Sequence, residues 1–278
     1  MNKYVSSYNQ KGYYIFPNFF SNYNKILSNT CKTLNTFFFN KNTNENLEKI
    51  LVKISKNKKN IQIFTNFYLG LFQRQPEIYN EMLNNELFKI ISKLNIEKPY
   101  IASDPLLMVS GGVGGKLLKE ITNSPIHQDW QSMQSSNNAL VCWVPLTCYG
   151  KENYSTIGIW EGSHKNGLTK TKNGNWFATI DESNISKKFK YVEISGNPGD
   201  LIIFSSLLIH KTVNYECKNT RITCQFRYGD LSDPILIKNK AYFNYNHCVP
   251  LTKNASHLKE KPTLLFKKKN AFKTGYYS

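Results

Sequence analysis

The chain has 278 residues, a formal net charge of +17, 40% apolar residues and 20% charged ones. That length can bury a full core, and that balance excludes an intrinsically disordered chain. The positive charge is mostly Lys scattered among Asn, with one dense tract, LLFKKKNAFK (264–273), so a solvated basic surface is expected ahead of a nucleic-acid groove.

The opening MNKYVSSYNQKGYYIF lacks the apolar core of a signal peptide, and no apolar run reaches the length of a membrane span. A soluble, cytoplasmic protein is expected. GYYIFPNFF (12–20) reads as a strand running into a proline turn. SNYNKILSNTCKTLNTFFF (21–39), NENLEKILVKISK (44–56) and PEIYNEMLNNELFKIISKLNI (76–96) space their apolar residues at three and four positions, which predicts helices. The last of these opens on a proline suited to a helix N-terminus.

Beyond residue 98 the pattern changes to short β-rich runs separated by Gly, Asn, Ser and Asp. The clearest are YIASDPLLMVS (100–110), ALVCWVPL (139–146), TIGIW (156–160), KYVEI (190–194), GDLIIFSS (199–206), LLIHKTV (207–213) and TRITCQFRY (220–228). So many short strands in succession predict a sandwich or barrel. With no tandem repeat or long linker, one domain over 1–278 is expected: a mainly helical flank (1–98), a β core (99–230) and a C-terminal extension (231–278). Cys31, Cys142, Cys148, Cys217, Cys224 and Cys248 show no C-x-x-C or zinc spacing, so free thiols are expected.

Chemistry concentrates in SPIHQDWQSMQ (124–134). Residues two apart on an extended segment face the same way, so His127 and Asp129 project together while Gln128 turns away. An imidazole beside a carboxylate suits a divalent ion with mixed nitrogen and oxygen ligands. The pair alone is weak, since a His near an Asp is commonly a structural hydrogen bond. It gains weight from His210, which lies inside an apolar strand pattern after a Pro-Gly-Asp turn. Two His and one carboxylate with open positions form the facial triad of non-haem Fe(II) oxygenases. Arg221 follows His210 by eleven residues, and a guanidinium there can grip a carboxylate ligand through two parallel hydrogen bonds. Alternation puts Thr223, Gln225 and Arg227 on the face of Arg221, and Thr212 on that of His210.

Together H-Q-D-W, G-S-H-K, P-G-D and the spaced His and Arg resemble the phytanoyl-CoA dioxygenase (PhyH) family of Fe(II)- and 2-oxoglutarate-dependent oxygenases, from GYYIFPNFF to about Asp230. The resemblance implies a mainly β fold, a double-stranded β-helix (jelly-roll, cupin-like) with N-terminal helices packed on it. It implies that His127, Asp129 and His210 hold Fe(II) and that Arg221, assisted by Thr212, binds the distal carboxylate of 2-oxoglutarate. Trp143 matches an aromatic lining the cosubstrate pocket, with packing in a β core as its plain alternative. His164 lies in WEGSHKNG, where Glu161 replaces the usual proline, and a structural role is expected for it. His247 and His257 are given none.

The implied reaction uses O2 and 2-oxoglutarate, releases succinate and CO2, and hydroxylates an unactivated C–H bond. Asp129 favours that outcome, because halogenating relatives carry a small residue there. Trp130, Gln131, Gln134, Gln225 and Arg227 are candidate substrate contacts, in or beside a polar loop (130–138) expected at the mouth of the site. Amide and hydroxyl groups suit a small polar substrate, such as a sugar or surface-glycan precursor, and the basic chain is compatible with an anionic one. Two alternatives stand beside this reading: the same chemistry on a modified nucleic acid, and a non-catalytic β-helix binding module.

Overall fold

A computed structural model describes residues 2–43, 45–64, 74–118, 123–133, 136–151, 153–173, 178–213 and 216–234. Gln134, Cys248, His247, His257, the 264–273 tract and nearly all of the C-terminal extension lie outside the described residues.

Helices α1 (Lys3–Lys11), α2 (Tyr23–Phe39) and α3 (Leu47–Ser55) lead the chain, with β1 (Tyr13–Phe16) between the first two. The 76–96 segment, predicted as one helix, is two: α4 (Pro76–Met82) and α5 (Asn85–Lys93). The break is chemical. Asn84 takes an extended backbone, and its side chain accepts from the backbone N–H groups of Glu86 and Leu87, starting a new helix where the apolar spacing alone reads straight through.

The run at 100–110 also divides, into β2 (Pro99–Ile101) and β3 (Leu106–Ser110), on either side of the Ser103–Pro105 bend. Pro105 has no N–H to give a ladder. Both pieces pair with the long strand β11 (Arg221–Asp230), β3 along Arg221–Gln225 and β2 along Tyr228–Asp230. With β4 (Leu140–Pro145) and β9 (Leu201–Ser205) they make a six-stranded antiparallel sheet in the order β1-β9-β4-β11-β2, with β3 beside β11. The second sheet is β10 (His210–Val213), β5 (Thr156–Glu161) and β8 (Lys190–Glu193), in that order, and β6 (Thr171–Asn173) pairs with β7 (Ala178–Ile180) as a hairpin. Three elements had no clear pattern in the sequence: α1, the β6–β7 hairpin, and the glycine-rich α6 (Gly112–Leu117).

The period of two explains the layering. On β4, Leu140, Cys142 and Val144 pack outward with Ile203, Ile222 and Phe226 against helix residues such as Leu34, Ile50 and Leu87. Val141 and Trp143 point the other way, joining Ile202 and Phe204 of β9 and Ile157 and Ile159 of β5 between the sheets. Each wholly buried aliphatic side chain contributes about 1.5–3 kcal/mol. With both its faces covered, β4 reads as an unbroken apolar run. The result is the jelly-roll with flanking helices, and its interior is where β10 and β11 aim their alternate residues.

Candidate metal centre

His127 and His210 are locked by the backbone before any metal is considered. The two residues exchange both main-chain hydrogen bonds, at 3.0 and 3.1 Å, which adds His127 to the free edge of β10. His210 stands opposite Ile159 and Thr212 opposite Ile157, so both face the interior. Their neighbour Gln128, between the first two ligands, is the residue whose role the sequence hid. Its amide donates to the carbonyls of Gly167 (2.9 Å) and Leu207 (2.6 Å) and accepts from Thr169 N–H (2.9 Å). Gln128 therefore clamps the turn that presents His127 and Asp129. Gln128→Ala is expected to cost about 1–3 kcal/mol, by stranding buried partners, and to weaken metal binding as well; urea unfolding and Fe(II) titration of the variant check the two effects.

The ligand atoms of His127, Asp129 and His210 lie within 4.8 Å of one another, and all three side chains are buried. Nε2 of His210 is 3.5 Å from Oδ2 of Asp129, and Nε2 of His127 is 4.0 Å from Oδ1. Two metal–ligand bonds of about 2.1 Å span a similar gap. The tautomers suit that use. Nδ1 of His127 is 2.8 Å from the Pro125 carbonyl and Nδ1 of His210 is 3.0 Å from that of Leu208. A carbonyl only accepts, so both Nδ1 atoms donate and both Nε2 lone pairs remain for a metal. Burial, with His210 adding to it, pushes the His127 imidazole down to about 3, so it is neutral at physiological pH. Burial alone would raise the Asp129 carboxyl, but Arg227, His210 and His127 outweigh it and hold it below the ordinary carboxylate range.

Arg221 opens β11 opposite Ser110, with its guanidinium carbon 5.2 Å from the centre of the Trp143 ring. Tyr149 meets Trp143 edge-on at 5.1 Å and donates its hydroxyl to Asp200 Oδ2 at 3.0 Å. Asp200 belongs to the Pro-Gly-Asp turn and also accepts from the N–H groups of Asn18 and Asn197. A turn motif, two aromatic rings and a guanidinium are thus stacked into one support. Nε and Nη1 of Arg221 are buried and have no hydrogen-bond partner among the described residues. Burial pulls its pKa down to about 10, which leaves it charged at neutral pH. A buried cation lacking an anion is costly, and an incoming carboxylate is what it fits. That guanidinium, with two N–H positions unpartnered among the described residues, together with two lone-pair nitrogens and one carboxylate, is a donor set that suits iron and 2-oxoglutarate.

The other expected residues divide. Gln225 and Arg227 face inward from β11, as the alternation has it, opposite Trp143 and Val141. Arg227, read from the sequence as a substrate contact, spends Nη2 on Asp129 Oδ1 at 2.8 Å. Within the 130–138 segment expected as a hydrated mouth, a short helix, α7 (Trp130–Met133), buries Trp130, Gln131 and Met133. Trp130 is 2% exposed and donates its indole N–H to the Ser136 carbonyl, and Gln131 is also 2% exposed. An indole must find an acceptor when buried, and Ser136 is close enough in sequence to supply it. His164 stays out of the cluster. Its ring lies over Gly12, where φ is +89° and a Cβ would come within 2.5 Å of Nδ1, and 6.4 Å from Tyr8. It fastens α1 to the turn after β5.

A jelly-roll holding a His-x-Asp and a distant His on its inner face defines a non-haem iron oxygenase of the facial-triad type. Three solved structures share the fold. EctD from S. alaskensis, crystallised with 2-oxoglutarate and 5-hydroxyectoine, superposes with a TM-score of 0.55 at 14% identity, covering 84% of this chain and 77% of that one. SnoK, an alpha-ketoglutarate-dependent carbocyclase from nogalamycin biosynthesis, gives 0.52 at 14% identity over 83% and 84%. The non-haem monooxygenase ThoJ gives 0.54 at 14% identity over 82% and 77%. No curated protein matches by sequence. The model of the phytanoyl-CoA dioxygenase (PhyH) family matches residues 8–222. The chain belongs to that family, and it is a 2-oxoglutarate-dependent non-haem iron oxygenase. No helix among the described residues is long and apolar enough to cross a membrane.

Proposed function

We propose that the chain hydroxylates an unactivated C–H bond of a small polar metabolite, with iron held by His127, Asp129 and His210 and 2-oxoglutarate anchored on Arg221. The observation that carries this reading is the buried Arg221 guanidinium, charged, stacked on Trp143, with Nε and Nη1 lacking a partner among the described residues. When bound, the iron and 2-oxoglutarate supply oxidative decarboxylation to succinate and CO2, coupled to insertion of an oxygen atom from O2. The chain's own groups do the rest. His127 offers Nε2 without having to lose a proton, Arg221 orients the distal carboxylate, and Ile157, Ile159, Val141 and Phe204 keep bulk water from the interior. Thr212 shares the face of His210 on its strand, which supports the proposed role of its hydroxyl in assisting at the cosubstrate.

EctD was crystallised with the small molecule 5-hydroxyectoine and SnoK belongs to nogalamycin biosynthesis, and a small-molecule substrate is accordingly the class proposed. Gln225 and the buried hydroxyl of Thr223 share the inward face of β11 and would suit a polar, polyhydroxylated substrate such as a sugar. With Asp129 and Arg227 cancelling each other, Arg221 leaves the interior cationic, which favours an anion. The five described cysteines are free, in keeping with the proposed cytoplasmic site of action.

Anaerobic addition of Fe(II) and 2-oxoglutarate is expected to give a weak visible charge-transfer band that neither gives alone, and aerobic incubation is expected to yield succinate. A chain that produces neither, with Fe(II) in excess, does not have this function.

A further inference from the structure

Asp129 has two oxygens, and both border the histidines: Oδ1 is 4.0 Å from Nε2 of His127 and Oδ2 is 3.5 Å from Nε2 of His210. Nothing in that geometry stops the carboxylate from taking a metal with both. We propose that Arg227 is a positioning residue that occupies Oδ1, so that Asp129 offers the metal one oxygen, Oδ2. This rests on the metal site proposed above.

Arg227 comes from the inward face of β11, six residues after Arg221, and reaches Oδ1 of Asp129 at 2.8 Å. Arg227 is 7% exposed and Asp129 2%, so solvent does not screen the pair. The guanidinium is steadied from its own strand, where Nη2 also lies 3.4 Å from Oε1 of Gln225. Gln225 is neutral and cannot balance the charge, so Asp129 is the anion that fixes the head group in place. A charge-assisted hydrogen bond of this length holds Oδ1 toward Arg227, and rotating the carboxylate to bring both oxygens onto a metal would distort it.

The consequence concerns open positions. A facial triad leaves room for a chelating cosubstrate and for O2 only if its carboxylate takes a single position. Were Asp129 to bind through both oxygens, it would compete with 2-oxoglutarate directly. Arg227 thus governs cosubstrate affinity from outside the ligand set, without touching the cosubstrate. A residue that merely stabilised the fold would alter metal and cosubstrate binding together or not at all.

The test uses the full chain loaded with Co(II), comparing wild type with Arg227→Gln and Arg227→Lys. Three properties are read: Co(II) affinity, the visible Co(II) spectrum, and 2-oxoglutarate affinity of the Co(II) form. Arg227→Gln is expected to hold Co(II) within a few-fold of wild type, to show an altered spectrum, and to bind 2-oxoglutarate about 10–100-fold more weakly. Arg227→Lys keeps a cation near Oδ1 but lacks the fork, and should shift the same way by less. It carries the test if the Gln variant does not fold. A wild-type spectrum with wild-type 2-oxoglutarate affinity overturns the proposal, as does a folded variant that loses Co(II) altogether. Failure of the wild-type chain to bind Co(II) sinks the metal site itself, which is a separate result.

Discussion

His210→Ala is expected to abolish Fe(II) binding and succinate formation while leaving the chain folded. Among the described residues the His210 side chain makes one hydrogen bond, from Nδ1 to the carbonyl of Leu208 two residues away, and ring contacts with Phe204 and His127. Its main-chain bonds to His127 survive any side-chain change. Asp129→Ala should also abolish activity, but at a different cost. It strands the Arg227 guanidinium in the interior, and breaking a buried pair by removing one partner costs about 3–5 kcal/mol. The two ligand variants therefore separate chemistry from stability. Anaerobic Fe(II) titration should show both inactive, and urea unfolding of the metal-free chains should show only Asp129→Ala with a clearly lower midpoint. Wild-type succinate production by His210→Ala would place the iron elsewhere.

The candidate ligands stand out in the sequence because their signals are local or chemically rare. His127 and Asp129 stand two apart, His210 is a histidine in an apolar strand, and Arg221 is a charge at the head of another. Alternation along β11 then put Gln225 and Arg227 on the correct face. What alternation does not carry is distance between elements. The partner of Arg227 lies 98 positions earlier, and those of Gln128 lie 39, 41 and 79 positions later. Polarity in WQSM reads as solvent exposure, yet the structure buries Trp130 and Gln131. Helix periodicity runs through Asn84 because a cap interrupts the backbone without disturbing the apolar spacing. Strands of three residues, as in the β6–β7 hairpin, are too short to show a period at all. The support beneath Arg221 was half visible: the Pro-Gly-Asp turn stood out, but not that Asp200 reaches Trp143 through Tyr149.

Arg221 carries the other large effect, and it has opposite signs in activity and stability. Truncating one partner of a buried, hydrogen-bonded charge pair costs about 2–5 kcal/mol, so Arg221→Met should raise the KM for 2-oxoglutarate by at least about thirty-fold. Arg221→Lys should fall between, since an ammonium keeps the charge but loses both the two-point grip and the stacking on Trp143. In the metal-free, cosubstrate-free chain the same arginine is a liability. It is buried, burial depresses its pKa to about 10, and Nε and Nη1 have no partner among the described residues. An apolar side chain of similar volume removes that desolvation cost, so apo Arg221→Met should unfold at a urea midpoint equal to or above wild type. Adding 2-oxoglutarate with a divalent metal should reverse the order, because only wild type gains from the bound carboxylate. A variant that loses stability and cosubstrate affinity together would mean that Arg221 holds the barrel shut, and that the distal carboxylate binds some other group.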